Sequence, residues 1–378
     1  MNNLLKDLVN KFKSSLKHRI IYISIITIYV LVILCCIIPL NKEVTTPGVL
    51  NNPSEFITIG NSELGEVTYD KGNINTIGVY VTYKPTLFQY LISQNKNFSI
   101  ADYDTSSDLS PKDNIKRSTY LKDLSIENAI ITAYTSAQIK DSKINIEYEY
   151  QGLLVTANLP VSYSHEPKIG DLIVGVTAND VYYDIVNIND KQYLAYVLNI
   201  LKPLYSENKT FDFRVKRGDS LIDVEFKWME TGSLGLELKP KFNIISTYPS
   251  YNIDEKTVHN SIGSSGGMML TLAIYNSLIE EDITHGLLIC GTGTVNESGM
   301  IGAIGGIKQK ISTSQLYKAD IFFCPYSLDE SSSEYHNYVD AYTQYQLISK
   351  PTFKLIKVTS FNDILNELER IGEDNENI

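Results

Sequence analysis

The hydrophobic and polar positions divide the chain into stretches of different character. Residues 20–40, IIYISIITIYVLVILCCIIPL, run apolar without a single charge. At a helical rise of 1.5 Å per residue they cover about 30 Å, the hydrocarbon thickness of a bilayer. One transmembrane helix is predicted. Lys6, Lys11, Lys13, Lys17 and Arg19 precede it against Asp7 alone, so residues 1–19 are expected in the cytoplasm and the remainder outside. A cleaved signal peptide fits less well, because its apolar core is only about 7–15 residues and no small-x-small site follows here. No second run of this length appears, so the chain is expected to cross once.

Residues 45–145 mix β-like segments such as TIGVYVTY with a helix-like PTLFQYLISQ and a polar stretch, DYDTSSDLSPKDNIKRS, read as exposed. From 146 to 228 short strands and turn signals take over. GLLVTANL (152–159) reads as a strand, and PKIGDLIVGVTANDV (167–181) as a strand with a two-residue Asn179-Asp180 turn. DKQYLAYVLNILKP (190–203) has helical spacing ended by a proline, and FDFRVKRGDSLIDVEFKW (211–228) reads as a hairpin turning at Gly218-Asp219. Beyond 260 come an apolar helix MMLTLAIYNSLIE, a strand HGLLICGTGTV, a turn NESG, a strand MIGAI, a lysine-bearing GGIKQKISTSQLYKA and a strand DIFFCP. The acidic end from 371 to 378 is read as a disordered tail. The pattern as a whole predicts an α+β protein of two or three domains.

Composition narrows the function. The formal net charge of −11 argues against a nucleic-acid partner, which requires basic surface. The four cysteines form no CxxC and no Cys/His cluster, so no metal site is expected, and Cys290 and Cys324 read as free thiols in buried strands. No GxxxxGK[ST] run and no complete dinucleotide fingerprint occurs, so neither a nucleotide nor another cofactor is expected. HExxH is absent.

Candidate chemistry gathers at Gly263-Ser264-Ser265-Gly266-Gly267, which fits GxSxG. A nucleophile elbow would need a buried strand just before the serine and a histidine late in the chain. YNIDEKTVHN is polar, and neither His285 nor His336 lies in a recognisable loop after a strand. A lysine base is the other option. It must be neutral, so burial has to lower its pKa by roughly 3 units from about 10.4. Lys308 and Lys310 flank the Ile307/Ile311 face about equally, and helical spacing does not choose between them. A helix beginning near Gly267 would leave N–H groups of Gly266 and Gly267 beside Ser265, suited to an oxyanion.

From Gly263-Ser264-Ser265-Gly266-Gly267 through AIYNSL, GTGTV, GAIGGIKQK and FFCP, the chain resembles the proteolytic domain of the Lon family, in particular the membrane-anchored PDZ-Lon-like serine proteases of Gram-positive bacteria. The resemblance implies Ser265 as nucleophile, Lys310 as base and Thr292 as the residue orienting it. Where the family has proline and alanine around the nucleophile, this chain has Ser264 and Gly266. Residues 146–228 resemble a PDZ domain, a partly open β-sandwich with helices, through Gly152-Leu153-Leu154-Val155, Lys168-Ile169-Gly170-Asp171-Leu172-Ile173 and Val215-Lys216-Arg217-Gly218. That likeness implies that Gly152, Leu153, Leu154 and Val155 form a loop holding the carboxylate of a peptide added as a strand. Residues 229–370 would then be the protease domain, with 45–145 completing it and the PDZ domain as an insertion. The implied activity is ATP-independent cleavage of secreted or surface peptides and unfolded proteins, including signalling peptides. The alternative is a non-catalytic surface PDZ adaptor on a degenerate Lon-like scaffold.

Overall fold

A computed structural model describes residues 2–60, 71–103, 109–158, 167–188, 192–207, 209–229, 232–254 and 263–376. It is a mixed α+β structure with eight α-helices among the described residues. The chain divides into two units, residues 1–47 with 79–105, and residues 48–78 with 106–378.

In the first unit, helix α1 (Asn2–Ile37) carries an apolar stretch, His18–Ile37, long enough to cross a membrane and with none of it buried. It stops short of the expected residue 40. Pro39 disfavours helical backbone at the residue before it, and the chain turns there into strand β1 (Lys42–Asn51). The first residues of β1 pair antiparallel with β4 (Ser99–Asp102), Lys42 facing Asp102. Between them lie the end of β3 (Asn73–Tyr83) and a short helix α2 (Leu87–Ile92), closed at its start by a Thr86/Gln89 capping box.

The second unit holds two separate cores. Parallel strands β12 (Leu288–Gly291), β15 (Ile321–Pro325) and β16 (Lys354–Val358) join the first residues of β3 in the order β16-β15-β12-β3. Strands buried on both faces read as unbroken apolar runs, as LLIC and IFFCP do. Ile289 and Phe323 face one side, with α5 (Gly267–Leu278), α3 (Pro111–Lys140) and α8 (Phe361–Glu376). Cys290, Phe322 and Cys324 face the other, with α6 (Ile307–Leu316) and α7 (Ser333–Gln346). Both thiols are free and buried. Helix α5 is apolar all round and buried along nearly its whole length, each large side chain contributing about 1.5–3 kcal/mol.

The other core lies within residues 153–238 and joins Leu153, Val155, Leu201 and Phe213. Its antiparallel sheet runs β10-β5-β6-β8-β9, formed by β5 (Asn145–Asn158), β6 (Leu172–Ala178), β8 (Thr210–Arg217), β9 (Ser220–Lys227) and β10 (Leu236–Tyr248), with β7 (Val181–Asp184) beside β6. Asn179 and Asp180 both take positive φ, as a tight two-residue hairpin needs. Helix α4 (Tyr193–Ser206) does not end at Pro203 but runs one turn past it, because Leu204 is buried in this core.

The polar stretch expected to be exposed has no buried residue from 112 to 118, and from Pro111 it forms the start of α3, which is buried only from about Leu124 onward. Two other stretches differ from their sequence-based reading. The acidic end is helical as far as Glu376, the last described residue, as a continuation of α8. Gly152, Leu153, Leu154 and Val155 do not form a loop but lie within β5. Leu153 and Leu154 pair with Ile173 and Leu172 of β6 on one edge, and residues 152–155 pair with Leu238–Lys241 of β10 on the other. A strand with both edges taken cannot accept a peptide as an added strand.

Gly152 has φ +136°, and a Cβ there would sit 2.3 Å from the Ile173 carbonyl oxygen. Gly152→Ala is expected to cost about 3 kcal/mol, through backbone strain and a clash with a main-chain atom that cannot rotate away. Chemical denaturation followed by Trp228 fluorescence, in a variant that keeps the detergent-solubilised chain intact, measures it.

Candidate active site

Helix α5 does not begin abruptly at Gly267. A 3-10 turn, Ser264–Gly266, precedes it, capped by Gly263. That turn holds Ser265 half-buried at the head of a buried helix, and Ser265 lines a cleft of about 930 Å³. Of the run 251–260, expected to be polar and unpatterned, Tyr251–Ile253 form a short strand paired antiparallel with Ile57–Ile59, and 255–260 lie outside the described residues.

Thr292 follows the C-terminal end of β12, the usual location of sites on parallel sheets. Its N–H donates to the Phe323 carbonyl at 3.2 Å, and its hydroxyl to the Ser265 carbonyl at 3.0 Å. Lys310 reaches the same point from α6, on the opposite side of the sheet from α5. Its Nζ is 2.8 Å from Ser265 Oγ and 2.8 Å from Thr292 Oγ1. The three residues singled out in the sequence therefore meet.

The hydrogen bonds fix how protons are arranged. Thr292 spends its only hydrogen on the Ser265 carbonyl, so Thr292 Oγ1 accepts from Lys310. A neutral Lys310 amine then keeps its lone pair for the Ser265 hydroxyl. Neutrality has a physical source, since Lys310 is 2% exposed and burial alone lowers its pKa to about 7. Among the described residues no acidic side chain opposes that shift.

Lys308 has a different fate. It leaves the helix toward solvent and pairs with Asp340 at 3.0 Å. The tie between the two lysines is broken by packing: α6 is enclosed on most sides although its sequence is polar. Ser312, Thr313 and Ser314 satisfy their buried hydroxyls on the carbonyls four residues back, at 3.1, 2.9 and 3.0 Å. His285 packs against Gly372, and His336 makes an edge-on contact with Tyr335 at the rim of the cleft. The partner of the Ser265 hydroxyl is the lysine.

The oxyanion assignment to Gly266 and Gly267 changes. Gly266 N–H donates to the Gly263 carbonyl at 3.0 Å, and Gly267 N–H to the Ser264 carbonyl. The 3-10 turn extends the helix one turn toward the N-terminus, so the amides without an acceptor in the turn are those of Ser264 and Ser265.

Helix α3 contributes residues that sequence reasoning missed. Ser125 Oγ donates to the Ser264 carbonyl at 3.1 Å, Asn128 Nδ2 to the Val295 carbonyl at 3.2 Å and Thr132 Oγ1 to the Asn296 carbonyl at 2.9 Å. They clamp the serine turn and the segment after Thr292 to one helix. Their spacing, i, i+3 and i+7, marks one helical stripe beside the apolar Ala129, Ala133 and Ala137, a signal legible once the helix is recognised. Ser125 also requires glycine at 267, where a Cβ would lie 2.5 Å from its Oγ.

The sequence matches no protein-family model and no curated protein. The geometry therefore carries the functional argument: a hydroxyl, a buried amine whose pKa burial lowers to about 7, and a second hydroxyl bonded to that amine, at the wall of an open cleft.

Proposed function

We propose that the chain is a membrane-anchored serine endopeptidase that works through a Ser265–Lys310 dyad without nucleotide. The observation that carries this is the 2.8 Å approach of Lys310 Nζ to Ser265 Oγ, with burial lowering the lysine to about 7. The likeness of residues 260–325 to Lon proteolytic domains supports the same reading.

Ser265 Oγ would attack the carbonyl carbon of a peptide bond while its proton passes to Lys310 Nζ. The ammonium so formed returns that proton to the leaving amine as the tetrahedral intermediate collapses to an acyl-enzyme. Water, deprotonated by the same amine, then releases the acyl group and Ser265 regains its proton. Thr292 holds the amine in place, and the Ser265 amide is the proposed donor to the oxyanion.

The basic residues in the first half of α1, ahead of its uncharged run, support a cytoplasmic N-terminus with the chain after α1 outside, so the substrates would be peptides or unfolded segments reaching the outer surface. Capture by a PDZ groove is not part of this proposal, and the non-catalytic adaptor reading loses its main support, because β10 occupies the strand edge a peptide would use.

The test is the full chain in detergent micelles with an unfolded protein and no nucleotide. Fragments are expected, with an acyl adduct on Ser265 detectable by mass spectrometry, and cleavage that survives Ser265→Ala overturns the reading. Lys308→Ala, an exposed change outside the dyad, is expected to alter the rate by no more than about twofold.

A further inference from the structure

Just past α1, the first unit leaves large apolar side chains without a core. On α2, Phe88, Leu91 and Ile92 are 49%, 56% and 62% exposed. Their spacing of i, i+3 and i+4 puts them on one face of the helix. Tyr80 and Tyr83, on the strand that leads into α2, are exposed too, as are Ile37 and Ile38. Among the described residues, none of these belongs to a hydrophobic cluster.

The backbone fixes where this helix sits. Leu87 N–H donates to the Ile38 carbonyl at 3.0 Å and Leu40 N–H to the Pro85 carbonyl at 2.8 Å, with a bridge between Pro39 and Thr86. Helix α2 is thereby tied to the residues where α1 ends. If α1 spans a bilayer, as the proposed function holds, its end lies at the membrane surface, and α2 is held there with it. Amphipathic helices with one apolar face, and tyrosines, are the elements that occupy that layer.

We infer that α2 docks its Phe88, Leu91 and Ile92 face into the interfacial layer of the bilayer beside α1, giving the chain a second membrane contact. The occupant is lipid, because the face is continuous with the spanning helix and begins within a turn of its exit.

The experiment places single fluorophores in the full chain, with Cys35→Ser and Cys36→Ser, in nanodiscs of phosphatidylcholine and phosphatidylglycerol. Cys290 and Cys324 are fully buried. Probes go at Leu91→Cys, at Leu31→Cys within α1, and at Tyr342→Cys on α7 as an exposed control. The Leu91 probe is expected to be quenched by spin-labelled lipid, and severalfold less by aqueous iodide than the Tyr342 probe. Adding Phe88→Glu and Ile92→Glu is expected to restore iodide quenching at Leu91 while the Leu31 probe stays lipid-quenched. Iodide quenching at Leu91 equal to the control, with the Leu31 probe in lipid, overturns the inference and leaves the anchor intact. Protection from iodide without quenching by lipid means that protein covers the face, and overturns it as well. Loss of lipid quenching at Leu31 overturns the anchor, and the docking with it.

Discussion

Lys310→Ala is expected to lower cleavage of an unfolded substrate by about 10³-fold or more, the scale set by loss of a general base acting on a nucleophile. Ser265→Ala should cost at least as much, and the double variant little more than either alone, because residues that act as a unit are non-additive. Lys310→Arg should be as inactive as Lys310→Ala, since a guanidinium stays protonated and cannot accept the serine proton. The pH profile has a definite sign. Below about 7 Lys310 is an ammonium and its lone pair is occupied by a proton, so the rate should rise as pH rises through about 7 and level off above it. Initial rates of fragment release across pH, for these variants and the parent chain, check the prediction. A rate that falls through that range removes the lysine from the role of base.

The same lysine should cost stability. Its pKa falls from 10.5 in the unfolded chain to about 7 in the fold. Between those values the unfolded state binds more protons than the native state, so this group makes stability rise with pH, by up to about 1.4 kcal/mol per pH unit. At neutral pH most of that gain is absent. Lys310→Met, similar in shape and uncharged, removes the burial penalty and loses two hydrogen bonds worth about 1 kcal/mol each. The net expectation is a gain on the order of 2 kcal/mol at pH 7, which raises the thermal midpoint by a few degrees. The variant should also show a flatter dependence on pH above 7. An inactive protein more stable than its parent fits a site that gives up stability for reactivity. A variant less stable at pH 7, with an unchanged pH slope, would show that Lys310 is held charged.

Much of this was legible from residue patterns. The apolar run before Pro39, the hairpin at Gly218, the Asn179-Asp180 turn and the buried strands around Cys290 and Cys324 all follow from periodicity and turn chemistry. Serine, threonine and lysine were found together through a resemblance of motifs, since no single one of them is distinctive. What escaped had physical causes. The first half of α3 is polar because it is exposed, so its periodicity was hidden and with it the clamp made by Ser125, Asn128 and Thr132. Gly152-Leu153-Leu154-Val155 looks the same in a loop as in a strand, and only the arrival of β10 from residue 236 onward decides which it is.

The apolar helix long enough to cross a membrane, the α+β class and the chemical types available at the serine turn can all be read without the fold. Those are local properties, written in hydrophobic spacing, glycine placement and side-chain identity. Motif resemblance pointed to Lys310 over Lys308, and the fold supplies the physical difference between them: Lys310 is buried with its Nζ against Ser265 Oγ, while Lys308 pairs with Asp340 at the surface. Within the serine turn, the fold also shows the Gly266 and Gly267 amides bonded to the Gly263 and Ser264 carbonyls. It also decided that the strand edge at residues 152–155 is closed. Burial sets the protonation of a lysine, the pairing of a strand edge depends on which distant segment packs against it, and the serine turn is held through its Ser264 carbonyl by Ser125 of α3, so the residues near each of these features in sequence do not contain the answer.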